Sequence, residues 1–159
     1  MKYRLLAISA ALATVSNVAL ADTDTLTVSA EVDSSCVVTA NDLDFGTINV
    51  LSADPVEETT TIDVTCTSDT GYEIGLDPGN SGEVSARHMT DGSDNELNYN
   101  LYQDAGHGDV WGDTEGDDTV ADTGTGSAES HTVYGQVAGG QDDLPAGSYD
   151  DTINVTIYY

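Results

Sequence analysis

The chain closes on DTINVTIYY, residues 151–159, in which Ile153, Val155, Ile157 and Tyr159 alternate with Asn154, Thr156 and Tyr158. A period of two places one set of side chains on one face of a strand, so this stretch predicts a strand with a single apolar face. Working back along the chain, the same alternation recurs in TTTIDVTCT (Ile62, Val64, Cys66), GYEIGLD (Tyr72, Ile74, Leu76), ELNYNLYQD (Leu97, Tyr99, Leu101) and HTVYGQV (Val133, Val137). Between these runs stand DPGNSG, TDGSD and LPAGS, clusters with the backbone chemistry of turns. No stretch carries a helical period. Several short one-faced strands joined by polar turns in a chain of 159 residues predict an all-β, two-sheet sandwich. The least regular stretch, Gly106 to Ser127, is expected to be exposed loop around a short strand at Val110-Trp111, with Trp111 packed over the sandwich edge.

At the other end, Lys2 and Arg4 precede a mostly apolar run, Leu5 to Leu20, and Ala19-Leu20-Ala21 has the form of a signal-peptidase site. Residues 1–21 are therefore expected to be an export signal. Ser9, Thr14, Ser16 and Asn17 interrupt the run and leave it short of the ~20 apolar residues of a membrane span. The exported chain then opens on DTDTLTVSAEVDSSC, where Leu26, Val28, Ala30 and Val32 alternate with Thr27, Ser29 and Glu31, with no turn to fold this strand onto a neighbour. The closing strand has no residues after Tyr159 to form a strand beside it. An unpartnered strand and an open apolar edge are complementary defects, and an open edge is a liability for a monomer. Cys36 and Cys66, in an exported chain, are expected to form a disulfide in preference to a metal site or catalytic thiol.

Of three basic residues only Arg87 lies beyond the signal, against 29 acidic ones, so the exported chain carries a formal charge of −28. Such a surface repels nucleic acid and anionic membrane. Acid spread along the whole chain reads as adaptation to high external salt, with multivalent Ca²⁺ binding as the competing reading. Asp113 to Gly124 fails as an EF-hand, having Asp118 where glycine is required and Gly124 where glutamate is required. No nucleophile elbow, zinc-protease motif or dinucleotide loop occurs, so neither an enzyme nor a cofactor is expected. His88, His107 and His131 are expected at the surface or in loops, and the sequon at Asn154 lies inside the closing strand.

The ordered set SCVVTANDLDFGTINVLSADP, TIDVTCTSDTGYEIGL, LNYNLYQD, VWGD, TVYGQV and LPAGSYDDTINVTIYY resembles the spore coat protein U (SCPU) domain. That family includes the pilins of archaic, Csu-type chaperone–usher pili. Phe45-Gly46-Thr47 and the Pro145-x-Gly147-x-Tyr149-x-Asp151 approach to the last strand carry most of the resemblance. It implies an incomplete immunoglobulin-like sandwich, 34–159, lacking its final strand and completed by donor-strand complementation. Leu26, Val28, Ala30 and Val32, in an N-terminal extension 22–33, would be the donor side chains. Ile153, Val155, Ile157 and Tyr159 would line the acceptor groove. The implied partners are like subunits, a periplasmic chaperone and an outer-membrane usher, without nucleic acid or membrane insertion, on the surface of a Gram-negative bacterium from a saline habitat. The expected role is a shaft or adaptor subunit of an adhesive, biofilm-forming fibre. The alternative is a fibre-tip or coat-associated binding domain that does not polymerise.

Overall fold

A computed structural model describes residues 20–159, so the export signal expected at 1–21 lies outside the described residues except for its last two positions. Met1–Val32 and Asp33–Tyr159 form separate units. Residues 20–35 carry no regular secondary structure, and Leu26, Val28 and Val32 are 88%, 85% and 81% exposed. Among the described residues no helix is long and apolar enough to cross a membrane.

The second unit is built from eight strands: β1 (Cys36–Ala40), β2 (Val56–Cys66), β3 (Gly71–Leu76), β4 (His88–Thr90), β5 (Glu96–Tyr102), β6 (Val120–Thr123), β7 (Glu129–Val137) and β8 (Val155–Tyr158). They form two antiparallel sheets, ordered β1-β2-β7-β5-β4 and β6-β3-β8. The alternating residues become the core: Ile62, Val64 and Cys66 from β2, Tyr72, Ile74 and Leu76 from β3, Leu97, Tyr99 and Leu101 from β5, and Val133 and Val137 from β7 are all buried. Cys36 and Cys66 face each other across the β1–β2 ladder and are joined by a disulfide.

The stretch Gly106–Ser127 departs from expectation in two ways. It contains β6, which pairs with β3 from Ile74↔Val120 to Gly71↔Thr123. Three of the four β6 residues are exposed, so its ladder holds it in place without the apolar period that sequence reading relies on. Trp111 is 1% exposed and belongs to the core, where the expectation placed it over the edge. Its backbone N–H donates to Leu101 O on β5 at 2.9 Å and its Nε1–H to Ile74 O on β3 at 2.8 Å, so one residue links both sheets. The indole needs a buried acceptor, and a strand carbonyl facing the interior supplies it.

Arg87, the one lysine or arginine among the described residues, is 0% exposed. Its guanidinium donates to Leu76 O at 2.7 Å, to Asp77 O and Trp111 O at 2.8 Å, and to Asn100 Oδ1 at 2.9 Å. Burial lowers its pKa, and these acceptors replace the lost hydration. The cation therefore joins loop, β5 and β3 internally.

Candidate functional site

β1 and β8 are edge strands of different sheets, each paired on one side only, to β2 and to β3. Beside them opens a cavity of about 430 Å³. Ile62, Leu101 and Val133, all core residues, line it together with Ala40 at the end of β1, Ile153 just before β8 and Val155 at the start of β8. Leu43, Phe45 and Tyr149 add to the apolar part of the lining. Phe45 packs edge-on against Tyr99 with ring centroids 6.1 Å apart. Gly135 on β7 is needed beneath them, since a Cβ there would stand 2.5 Å from Leu43 Cδ2 and 2.8 Å from Phe45 Cζ. The cavity is lined mainly by apolar side chains, with Asp42, Asp150 and Asp151 also on its lining, reaches the core directly, and is flanked by edge strands.

The β8 side is fixed by three tethers. Asp150 exchanges backbone bonds with Thr90 at 2.9 and 3.0 Å. The Tyr99 hydroxyl donates to Asp151 Oδ2 at 2.8 Å, and Asn80 N–H donates to Asp151 Oδ1 at 2.9 Å. Asp77 Oδ1 accepts from Asn154 N–H at 3.0 Å and from Gly79 N–H at 3.1 Å, while Asn154 Nδ2 donates to Oδ2. Burial pushes the Asp77 pKa upward, but the Asn154 and Gly79 bonds and the Arg87 charge outweigh it and hold the carboxyl below its ordinary range. Tyr99 moves the other way: burial and then the Asp151 bond raise its pKa far above the usual phenol value, so it remains an O–H donor.

A profile of the Spore Coat Protein U domain matches residues 22–156. The chain belongs to this family. Two solved structures share the fold of this SCPU chain. One is the CsuC–CsuE chaperone–tip adhesion subunit pre-assembly complex from the archaic chaperone–usher Csu pili of Acinetobacter baumannii, with 22% identity and a TM-score of 0.56. That match covers 79% of the SCPU chain and only 40% of the chain it is compared with. The other is a chaperone–usher pilus whose structure addresses rod uncoiling, with 14% identity and a TM-score of 0.55, covering 91% of the SCPU chain and 99% of the pilus chain. No curated protein sequence matches. The fold is that of the chaperone–usher pilus subunits in these structures, a two-sheet immunoglobulin-like sandwich.

Of the four closing-strand positions singled out in the sequence, Ile153 and Val155 line the cavity. Ile157 is half-buried, and with Tyr159, 63% exposed, it borders a separate and more open depression of about 600 Å³ beside Tyr72 and Ala121. The disulfide attaches β1, the opposite side, to the core strand β2. Ala40 has no signal of its own in the pattern; Tyr99 is marked by the alternation of its strand and Phe45 by the Phe45-Gly46-Thr47 element, but the place of all three beside the cavity depends on which strands are neighbours. Tyr149 and Asp151 belong to the motif before the last strand, and the structure gives that motif a role in holding β8.

His107 lies in a loop as expected, whereas His88 and His131 lie on strands, and all three side chains are partly buried. His88 lies on β4 and His131 on β7, and the side chains of His88, His107 and His131 are only 17%, 12% and 12% exposed. His131 packs edge-on against Tyr72, whose hydroxyl lies 2.9 Å from its Nε2, and His107 packs likewise on Tyr102. Aromatic stacking covers rings that a polar assignment leaves in water.

Proposed function

We propose that this SCPU chain is an exported structural subunit of a chaperone–usher surface fibre. In this reading, residues 22–33 are a strand it donates to a neighbouring subunit and 34–159 are the sandwich that receives one. The observation that carries it is the cavity between the segment that leaves β1 (Ala40 to Phe45) and the segment that enters β8 (Tyr149 to Val155), which reaches the hydrophobic core in a chain whose own extension keeps Leu26, Val28 and Val32 exposed. A strand laid along the open edge of β1 or of β8 would pair with it, and side chains at every second position would enter the cavity. Leu26, Val28, Ala30 and Val32 have that spacing. Before assembly a periplasmic chaperone would cover the same groove, and an outer-membrane usher would host the exchange. The fibre would serve adhesion and biofilm formation on a Gram-negative cell. No catalytic step is required of any residue.

Moving residues 22–33 behind Tyr159 through a flexible linker tests this directly, because a tethered strand has an effective concentration of order millimolar. The variant should be a heat-resistant monomer that no longer polymerises, and Val28→Asp in the moved strand should reverse the gain by burying an unpaired carboxylate. Simple deletion of 22–33 should yield a subunit that caps fibres. A deletion variant as stable and as monomeric as the full chain would overturn the reading.

A further inference from the structure

The charge of the chain is unused by strand donation, yet it falls on both partners of the exchange. The extension 22–33 carries Asp22, Asp24, Glu31 and Asp33 around its four apolar positions and no cation. The cavity it would enter has three carboxylates on its lining, Asp42, Asp150 and Asp151. Asp151 is engaged by Tyr99 and Asn80, whereas Asp42 and Asp150 are exposed, and among the described residues neither side chain accepts a hydrogen bond. Arg87 cannot offset them, since it is 0% exposed and its donors are committed to carbonyl and amide oxygens.

We infer that strand exchange in this protein is gated by ionic strength: acid at the groove mouth and on the incoming strand of a second copy holds subunits apart until concentrated salt screens it. This rests on the strand-donation reading. The decisive magnitude is a ratio of lengths. Paired strands lie about 4.8 Å apart, so a docking strand brings its flanking carboxylates within several ångströms of Asp42 and Asp150. At 0.1 M salt the screening length is about 10 Å and the groups repel. At 1 M it is about 3 Å and they scarcely interact. Apolar burial and ladder hydrogen bonds then act unopposed. Like-charge repulsion acts mainly on encounter, so the gate lies in the association rate.

The test uses the full exported chain and follows its polymerisation by light scattering in 0.1 M and 2 M NaCl, with Trp111 fluorescence confirming that the sandwich stays folded. Assembly should be roughly 10- to 100-fold slower at the lower salt, with KCl equivalent to NaCl. Neutralising the extension (Asp22→Asn, Asp24→Asn, Glu31→Gln, Asp33→Asn) together with Asp42→Asn and Asp150→Asn should remove most of that difference. A control neutralising six acids outside the cavity lining (Asp69, Asp94, Asp109, Glu115, Asp142 and Asp143 to their amides) should keep it. Equal rates at both salt concentrations, equal rescue by the control, or full rescue at 0.1 M NaCl by 1 mM CaCl₂ would each overturn the gate while leaving strand donation intact. Failure of every variant to polymerise at any salt would overturn strand donation itself, and the gate with it.

Discussion

β2 and β8 carry the same alternating pattern and end in different environments. In β2, Ile62, Val64 and Cys66 are 2%, 0% and 1% exposed, because β1 and β7 pair on either side and the second sheet faces them. In the closing run, Ile153, Val155 and Ile157 stay half-buried, because β8 has β3 on one side and no strand among the described residues on the other. A pattern of side chains specifies which face is apolar, while the neighbours on that face specify how completely water is removed. The half-covered face is where this molecule has surface to offer a partner.

The largest contrast should come from placing the same charge on both strands. Val64→Asp buries a carboxylate with no hydrogen-bonding partner and should cost about 4 kcal/mol or more, enough to abolish a cooperative urea transition followed by Trp111 fluorescence. Val155→Asp keeps access to water through the open side and should cost about 1 kcal/mol in the monomer while preventing polymerisation. Equal losses at the two positions would mean that β8 is as enclosed as β2.

A smaller effect is expected from the tie between β2 and the far side of the cavity. Cys36 and Cys66 close a loop with a sequence separation of 30, so Cys36→Ala/Cys66→Ala should lose about 3–4 kcal/mol by the chain-entropy argument. The loss should be measured against the oxidised chain in the same molar salt. An unchanged denaturation midpoint would show that β1 is held by its ladder and packing alone.

The smallest effect should appear in acid. Asp77, which anchors Asn154 just before β8, has a folded pKa below its unfolded value of about 3.9. Its contribution is therefore fully present above the unfolded value and is lost as the pH falls through the folded one. Stability should be insensitive to this group between pH 7 and 5 and should decline below about pH 4. Asp77→Asn should be less stable at neutral pH and show a shallower acid limb in thermal melts. Parallel acid limbs for both proteins would remove Asp77 from the anchoring of β8.

Much of the sandwich was legible in the chain because β2, β3 and β5 each place three apolar residues at every second position over five residues, and β7 places Val133 and Val137 on either side of Gly135. The same local rule drew attention to Ile153, Val155 and Ile157, and to Leu26 through Val32 in the extension. β4 and β6, three and four residues long, are too short to show a period, and backbone pairing places them. Trp111 stands among glycines and aspartates that announce a loop, and its burial follows from carbonyls contributed by two strands distant in sequence.

What the sequence determined by itself, then, is the identity of the one-faced strands, the pairing of Cys36 with Cys66, and the excess of acid, all of which depend on residue type, number and spacing. The tertiary structure alone decided that β1 and β8 are edge strands beside one cavity, and that Phe45 and Tyr149 line it together. It also decided that the one lysine or arginine among the described residues is buried among carbonyls. Those facts depend on which strands become neighbours across separations of tens to more than a hundred residues, where backbone hydrogen bonding and packing choose the partner and no local pattern records the choice.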